Sequence, residues 1–318
     1  MTDRGNFGVE TNTEQVVEGV DLSGAVAIVT GASSGLGAET ARILAKIGAD
    51  VTLTARDLAK AEAVAASIRG ETGSDSIDVM ELELQRPESV RRFAEKWLAA
   101  HGRLNLLVNN AGVMACPLAR TDEGWEMQFA TNHLGHFLLT GLLAPALVVG
   151  APSRVVNVSS AGHRFAPVDL EDPHFEQREY DKWASYGQAK TANVLHAVEL
   201  DRRLRKRGVR AFAIHPGAIM TELGRHLDRD DIATLQSRAP GGGLVFKPVE
   251  IGAATQVYAA TAPELAGQGG LYLEDCRVSG MRHGDDATHG YMPWAVDLDA
   301  AERLWALSEM TLGEKFRI

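Results

Sequence analysis

Cysteine is scarce in this chain of 318 residues: Cys116 and Cys276 are the only two, and they lie far apart in the sequence. A small secreted domain held by disulfides needs several cysteines at regular spacings, so that class of protein is excluded. We therefore expect two free thiols in a reduced, cytoplasmic protein.

Long apolar runs and an excess of positive charge are also lacking. No continuous apolar stretch approaches the roughly 20 residues that span a bilayer. Residues 1–20 are polar and acidic, which excludes a secretory signal, and we expect them to form a loosely held arm. The formal net charge of −10 argues against nonspecific binding to nucleic acid or to an anionic membrane. We therefore expect no nucleic-acid partner and no membrane attachment.

A glycine-rich turn with the spacing G-x-x-x-G-x-G lies between an apolar run at residues 25–29 and a helical pattern at residues 38–46. A strand, a tight turn and a helix in this order are typical of dinucleotide binding, because the N–H groups and the dipole at the helix start favour phosphate. Gly31 allows the sharp turn, Gly35 the approach of a pyrophosphate, and Gly37 the close packing of helix on strand. An ordinary glycine-rich turn is the alternative. The predicted cofactor contacts here are Gly31, Ser33, Ser34, Gly35, Leu36 and Gly37.

The second predicted strand, residues 50–56, is expected to reach the adenosine ribose with its carboxyl end. An acidic residue at this point binds the 2′-hydroxyl of NAD, whereas a nearby arginine accommodates the 2′-phosphate of NADP. This chain has Ala55 followed by Arg56. The paired donors of a guanidinium suit a phosphate, so the sequence favours NADP(H), with NAD(H) left open. A solvent-exposed pair between Arg56 and Asp57 is the alternative.

Seven strand-like runs alternate with helical patterns, which is typical of a parallel sheet covered by helices on both faces. We therefore predict a Rossmann-type, doubly wound α/β fold with a seven-stranded parallel sheet in a single domain, residues 21–318. Two irregular segments interrupt the pattern, and we expect residues 161–185 to form a packed substrate flap and residues 218–247 a mobile lid. The predicted strands are residues 25–29, 50–56, 77–84, 104–108, 154–158, 209–214 and 270–273.

Two helical patterns carry polar residues that packing does not explain. Tyr186 and Lys190 are four residues apart, so the phenol and the ammonium group share one helix face. Asn132 lies inside an apolar pattern, where an asparagine is unfavourable unless its amide is used or the helix is loosened. His133 and His136 are close by, but no carboxylate or cysteine at metal-ligand spacing accompanies them, so we predict no metal site.

These motifs, taken in order, resemble those of the classical short-chain dehydrogenases/reductases. The resemblance covers roughly residues 22–275. Residues 130–137 and the long Ser-to-Tyr separation are similar to the retinol-dehydrogenase-like and protochlorophyllide-reductase-like branch of that family. The matching motifs are residues 30–37, residues 109–112, Asn132, Ser160, Tyr186-x-x-x-Lys190 and Pro216-Gly217.

The resemblance implies a catalytic set of Asn132, Ser160, Tyr186 and Lys190. A free tyrosine has a pKa near ~10, and Lys190 together with an oxidised nicotinamide would favour the ionised form of Tyr186. Tyr186 would then donate a proton when a ketone is reduced and accept it when an alcohol is oxidised. Ser160 would hydrogen-bond the substrate oxygen. Asn132 would loosen its helix and bind a water that links Lys190 to solvent.

The resemblance also extends the expected cofactor site beyond the glycine-rich turn. Lys190 would bind the nicotinamide ribose. Glu83 stands where the family usually has an aspartate beside the adenine, and this departure concerns that one contact. The other expected contacts are Leu84, Asn109, Ala111, Gly112 and Tyr186, with Pro216, Gly217 and Thr221 at the carboxamide end of the nicotinamide.

The predicted function is hydride transfer between NADP(H) and an alcohol or ketone of moderately apolar character. Two alternatives stay open. One is the reduction of a conjugated C=C bond on the same scaffold. The other is a cofactor-sensing regulator that binds NADP and a partner protein without turnover. Members of the family often assemble, so we also expect a homodimer or a homotetramer.

Overall fold

The computed structural model describes residues 7–238, 243, 245–283 and 288–318, and its strands fall into one large sheet and one short pair. The strands are β1 Val26–Thr30, β2 Asp50–Ala55, β3 Ile77–Glu81, β4 Leu106–Asn109, β5 Ser153–Val158, β6 Val209–His215, β7 Ala218–Ile219, β8 Phe246–Lys247, β9 Leu271–Glu274 and β10 Arg277–Val278.

The large sheet has the order β3-β2-β1-β4-β5-β6-β9-β10. The first seven of these strands are parallel, and the two-residue β10 adds an antiparallel edge next to β9. The order reverses between β1 and β4, which is the point where doubly wound sheets bind ligands. The predicted Rossmann-type fold is therefore confirmed, with eight strands in the sheet in place of seven because of the short β10.

Helices cover both faces of the sheet. One face carries α2, α3 and α9 with the short α1, and the other carries α4, α6, α7 and α10. Strand β1 is buried along its whole length, as the central strand of a sheet covered on both faces should be. The helices are α1 Thr13–Val16, α2 Gly35–Lys46, α3 Leu58–Thr72, α4 Pro87–Ala100, α5 Met127–Phe129, α6 Gly135–Val149, α7 Lys182–Leu204, α8 Arg229–Arg238, α9 Val249–Thr261 and α10 Leu298–Leu312.

The N-terminal segment packs against the body of the protein. Helix α1 contacts α2 and α9, and Val16 is buried between them. The Glu14 carboxylate lies 2.6 Å from the Lys46 ammonium group on α2. The prediction of a loosely held arm is therefore wrong for residues 7–20, while residues 1–6 lie outside the described part of the chain.

One continuous helix, formed by α5, a π-helical turn at Ala130–Leu134 and α6, runs through the core. Of the helices that the structure describes, this one is long and apolar enough to cross a membrane, with 23 residues and a mean hydropathy of 1.4. However, 78% of its apolar window is buried inside the fold. Its apolar surface is therefore used by the protein's own core.

The predicted flap and lid both lie at the carboxyl edge of the sheet. The flap starts with a 3₁₀ turn, Ala161–Arg164, and buries Phe175 and Trp183, so it is packed as expected. In the lid, β7 pairs in parallel with β8, and α8 lies between them in the sequence. The predicted mobility of the lid stays a prediction, and residues 239–242 and 244 lie outside the described part.

Candidate active site

The glycine-rich turn joins β1 to α2 at the carboxyl edge of the sheet. Gly31 has a φ of +65°, which favours glycine, and a Cβ there would lie 2.9 Å from the Cα of Ala111. A Cβ on Gly37 would lie 2.4 Å from the carbonyl oxygen of Gly31, so α2 can approach the turn because this position has no side chain. Ser34, the N-cap of α2, makes no side-chain cap hydrogen bond. The N–H groups at the helix start are therefore available to an anion.

A cleft of about 980 Å³ opens beside this turn. It runs from the end of β2 past β1 and β4 to the start of α7 and the lid. The structure brings most of the predicted site residues together along its wall. Those that line the cleft are Gly31, Ser33, Ser34, Gly35, Leu36, Gly37, Arg56, Leu84, Ala111, Gly112, Ser160, Tyr186, Lys190, Pro216, Gly217 and Thr221.

Asn109 does not line the cleft. It is 1% exposed, and its amide nitrogen donates to Thr140 Oγ1 at 3.0 Å and to Asn157 Oδ1 at 2.8 Å. Asn109 thus ties β4 to β5 and to α6, a structural role in place of the predicted cofactor contact. The next residue, Asn110, lines the cleft and donates from Nδ2 to the carbonyl oxygen of Thr30 at 2.8 Å. The Asn-Asn dipeptide correctly indicated that the cleft lies at the end of β4. It did not indicate which of the two side-chain amides faces the cleft.

Glu83 also lies away from the cleft wall. Its carboxylate accepts a hydrogen bond from Gln85 Nε2 at 2.8 Å and lies 3.3 Å from Arg86 Nε. The cleft at this point is lined by Leu82, Leu84 and Gln85. The structure therefore gives Gln85, which the sequence analysis did not select, a position at the expected adenine end.

Asn132 lies at the centre of the π-helical turn and is fully buried. Its Oδ1 accepts a hydrogen bond from the backbone N–H of Val113 at 2.8 Å, and its Nδ2 donates to the Val113 carbonyl oxygen at 2.9 Å. The side chain thus fixes the loop after β4, and each of its two polar atoms has a partner there. We therefore expect a chemical role of Asn132 to use its backbone. A π turn inside an α-helix is frequent at functional sites.

Tyr186 and Lys190 lie in the first turns of α7. The helix begins at Lys182, because the Asp181 side chain accepts a hydrogen bond from the N–H of Ala184 at 2.6 Å and caps it. Tyr186 and Lys190 are 3% and 2% exposed, and the ammonium group lies 5.7 Å from the centre of the phenol ring. The predicted shared face is therefore present, and it faces the cleft.

Ser160 completes this group at the end of β5. Its Oγ accepts a hydrogen bond from the N–H of Gly162 at 3.0 Å. A Cβ on Gly162 would lie 2.6 Å from the Tyr186 ring and 3.3 Å from Ser160 Oγ. The absence of a side chain at Gly162 therefore leaves room for the Tyr186 ring beside Ser160.

Burial sets the ionisation of the two titratable groups in this set. It raises the pKa of Tyr186 to about 12, against a smaller lowering by the nearby Ser160 side chain. It lowers the pKa of Lys190 to about 8. Lys190 Nζ donates to the carbonyl oxygen of Val158 at 3.0 Å. At neutral pH the phenol is therefore protonated and the amine is mostly charged, yet close to losing its proton.

The lid contacts the glycine-rich turn and α3 through Glu222, a residue that the sequence analysis did not select. Its carboxylate forms an ion pair with Lys60 and lies 3.5 Å from Ser34 Oγ. The neighbouring Thr221 side chain lies against Gly35, where a Cβ would be 3.2 Å from Thr221 Cγ2. No local pattern signals a contact between residues so far apart in sequence. The lid is thereby held against the predicted phosphate-binding turn.

The cleft lining includes apolar side chains and a partly buried arginine, Arg164. Its guanidinium donates to the carbonyl oxygens of Thr288 and Gly290 and lies 3.6 Å from the Glu274 carboxylate. Its charge is therefore balanced within the protein. The apolar side chains that line the cleft include Met114, Phe165, Ile219, Leu223, Leu227, Ile232 and Leu235.

Comparison with known proteins places this site in a family. The family model described as short chain dehydrogenase matches residues 25–232. Human retinol dehydrogenase 13 is 41% identical over 293 residues, which cover 92% of this chain and 86% of that protein. The similarity to retinol dehydrogenase 13 therefore extends over almost the whole chain.

Solved structures agree with the sequence comparisons. A protein of Mycobacterium paratuberculosis superposes with a TM-score of 0.74 at 36% identity, over 94% of this chain and 97% of that one. The active-site complex of Pseudomonas aeruginosa RhlG with NADP superposes with a TM-score of 0.63 at 25% identity, over 80% of this chain and 95% of that one. The chain belongs to the short-chain dehydrogenase/reductase family, in its retinol-dehydrogenase-like branch, and is an oxidoreductase of that type.

Proposed function

We propose that the protein transfers hydride between NADP(H) and an alcohol or ketone of moderately apolar character. The observation that carries the proposal is the meeting of Tyr186, Ser160 and Lys190 at one wall of a cleft whose other end is the glycine-rich turn. The names of the retinol dehydrogenases among the relatives make an apolar alcohol the first substrate to test. The apolar side chains in the cleft lining support the same class of substrate.

The residues present fit a nicotinamide dinucleotide. Gly31 and Gly37 leave a cradle that a Cβ would fill, and the start of α2 offers N–H groups to a pyrophosphate. Arg56 lies on the cleft wall at the end of β2 and is exposed, so its guanidinium can bind a 2′-phosphate. This position supports NADP(H) over NAD(H). The NADP complex of the related RhlG agrees with the choice.

When bound, the nicotinamide supplies the hydride in reduction or accepts it in oxidation. Tyr186 protonates the developing alkoxide when a ketone is reduced, and its protonated state at neutral pH suits this direction. Ser160, which lines the same part of the cleft as Tyr186, donates to the substrate oxygen and holds it beside the phenol. Both hydroxyl groups thus act on the same oxygen atom.

Lys190 stabilises the ionised form of Tyr186 and returns its proton. Its charge stabilises the phenolate that Tyr186 becomes, and its pKa of about 8 lets it pass a proton to the phenolate at little cost. Because burial raises the pKa of Tyr186 to about 12, oxidation of an alcohol depends on the positive charge of the oxidised nicotinamide in addition to Lys190. The carbonyl oxygen of Asn132 would bind the water that reloads Lys190, since both polar atoms of the Asn132 side chain already bond Val113.

A substrate panel tests the proposal. Retinol, short and long aliphatic alcohols, the matching aldehydes and several ketones are assayed with NADPH, NADH and their oxidised forms at 340 nm. We expect turnover of apolar alcohols or ketones with a preference for NADP(H). Tight NADPH binding without consumption of any substrate would favour the cofactor-sensing regulator, and a saturated ketone as product would favour C=C reduction. The cytoplasmic location and the homodimer or homotetramer stay predictions, which cell fractionation and size-exclusion chromatography test.

A further inference from the structure

His136 is a buried histidine between the glycine-rich turn and the catalytic asparagine. It is 2% exposed and lies one helical turn after Asn132, in the first turn of α6. Its Nδ1 lies 3.0 Å from the backbone carbonyl oxygen of Asn132, and its Nε2 lies 2.9 Å from Thr30 Oγ1. Both ring nitrogens therefore have a partner, and each partner belongs to a different part of the site.

The hydrogen-bond partners fix which nitrogen carries the proton. A carbonyl oxygen can only accept, so Nδ1 must donate to Asn132. Thr30 Oγ1 already accepts from the backbone N–H groups of Asn110 at 2.9 Å and Ala111 at 3.0 Å. Its hydroxyl proton goes to Nε2 at 2.9 Å, because the other acceptor, the Val108 carbonyl oxygen, is farther away at 3.4 Å. The ring is therefore neutral, with Nδ1 as donor and Nε2 as acceptor. Burial lowers the pKa of His136 to about 4, so the ring stays neutral through the physiological range.

The hydrogen bond from His136 Nδ1 can affect the site through the atom that accepts it, the carbonyl oxygen of Asn132. The Asn132 side chain is engaged by Val113, so the backbone oxygen is the polar group of this residue that is left to act. Lys190 is near the Asn132 side chain, since a Cβ on Gly112 would lie 3.0 Å from Asn132 Oδ1 and 3.6 Å from Lys190 Nζ. The charge of Lys190 also acts on the His136 ring. A carbonyl oxygen has two lone pairs, so a bond from His136 leaves one for a water beside Lys190.

We propose that His136 is a positioning residue: its Nδ1–H holds the Asn132 carbonyl in the orientation that completes the proton path from Tyr186 through Lys190, while its Nε2 anchors the ring to Thr30 at the cofactor turn. The proposal rests on the proposed function. It assigns no proton transfer to the imidazole itself. The ring keeps one tautomer throughout the reaction.

Three substitutions of His136 distinguish the effect of its contact with Asn132 from that of its contact with Thr30. The amide of His136→Asn places an N–H near the position of Nδ1 and keeps the bond to Asn132, but it falls short of Thr30. The amide of His136→Gln reaches toward Thr30 and loses Asn132. His136→Leu removes both. The matched control is His133→Asn, because His133 is equally buried in the same helix but its Nε2 bonds Ser308 on α10 at 2.8 Å.

We expect His136→Leu and His136→Gln to lower kcat by roughly 10- to 100-fold, the scale set by a small misplacement of a supporting group. His136→Asn should keep most of the wild-type kcat, and His133→Asn should keep it within about twofold. The two slow variants should also show a larger solvent deuterium isotope effect, because proton delivery becomes limiting. The dissociation constant for NADPH should stay within about threefold of the wild type in all variants.

Nitrogen NMR of the wild-type protein, labelled with ¹⁵N in its histidines and without any substrate, provides a readout that does not depend on turnover. We expect His136 to show the Nδ1–H tautomer with no titration between pH 5 and pH 8. An Nε2–H tautomer, or a ring that titrates in this range, would overturn the positioning role whatever the kinetics show.

The kinetic outcomes are also decisive. A folded His136→Leu variant with wild-type kcat and isotope effect would refute the positioning role of His136 but not the proposed function. Equal losses of kcat in His136→Asn and His136→Leu would have the same meaning. A loss confined to NADPH affinity would make the ring a support of the cofactor turn and would likewise refute the positioning role. Absence of turnover by the wild-type protein on every substrate would instead refute the proposed function, and this role with it.

Discussion

The side chain of Asn132 and the backbone of Val113 hold each other by two hydrogen bonds, one to the N–H at 2.8 Å and one to the carbonyl oxygen at 2.9 Å. Through this pair the π-helical turn fixes the loop that follows β4. Since Gly112 separates Asn132 from Lys190, the same pair also sets one wall of the space around the ammonium group. The asparagine side chain therefore shapes the catalytic site without facing the cleft.

Replacing Asn132 by leucine should lower both stability and activity. Both polar groups of Val113 lose their partners in a buried site, which costs roughly 1–3 kcal/mol for each group. We expect a lower free energy of unfolding in urea and a large loss of kcat in the steady-state assay. Asn105→Leu is the matched control, because Asn105 also bridges two backbone groups, at 2.9 Å and 2.7 Å, at the opposite edge of the sheet. A comparable loss of kcat in the control would contradict a site-specific role for Asn132.

Replacing Gly37 by alanine should weaken cofactor binding. The new Cβ would lie 2.4 Å from the carbonyl oxygen of Gly31 and 2.5 Å from Asn110 Nδ2, so the turn or α2 has to shift. We expect a lower melting temperature and a large rise in the dissociation constant for NADPH, measured by calorimetric titration. Gly70→Ala on α3 is the control, because no heavy atom lies within 4 Å of its Cβ position. That variant should be stabilised by up to about 1 kcal/mol, with unchanged NADPH binding.

Replacing Arg56 by alanine should change the choice of cofactor. A guanidinium–phosphate contact contributes about 1.5–3 kcal/mol, which corresponds to a loss of roughly 10- to 100-fold in affinity. We expect the KM for NADPH to rise by this factor while the KM for NADH stays constant. Arg92→Ala, an exposed arginine on α4 far from the cleft wall, should change neither value. Equal effects on both cofactors, or none, would contradict binding of the 2′-phosphate by Arg56.

The pKa of Lys190 predicts a pH dependence of stability. Its pKa falls from 10.5 to about 8 on folding, so between these values the unfolded chain binds more protons than the folded one. Stability contributed by this position therefore rises with pH above about 8, by up to ~1.4 kcal/mol per pH unit.

The comparison that isolates this effect is between the wild type and Lys190→Met, since methionine fills similar space without a charge. Urea unfolding from pH 7 to pH 9.5 should show the wild type gaining stability relative to the variant across that window. A constant difference would mean that Lys190 keeps an ordinary pKa in the folded protein.

Local sequence patterns predicted the parts of the site that are formed by residues close together in the sequence. The shared face of Tyr186 and Lys190 follows from helical geometry alone. The closeness of turn and helix at Gly37 follows from the need for a position without Cβ. The sheet followed from apolar runs that alternate with helical patterns, because strands buried on both faces need no polar side.

Contacts between distant parts of the chain were not predictable in this way. The N-terminal segment was predicted to be a loosely held arm because most of its residues are polar. Its few apolar residues, such as Val16, pack on α2 and α9, and the composition alone does not show this. The roles of Asn109 and Asn110 depend on which side of the sheet edge each amide faces. The ion pair between Glu222 and Lys60 forms because the lid lies against α3 in the folded protein. In each case the partner is fixed by tertiary packing and leaves no local signal.

The most direct test of the account is the turnover of Tyr186→Phe on the best substrate of the panel, measured together with NADPH affinity. The hydroxyl is the proton donor in our account, so kcat should fall by roughly 10²- to 10⁴-fold while the dissociation constant for NADPH stays close to that of the wild type. Tyr258→Phe, a buried tyrosine of α9 outside the cleft wall, is the control and should keep full activity. A Tyr186→Phe enzyme that turns over at the wild-type rate would contradict the account.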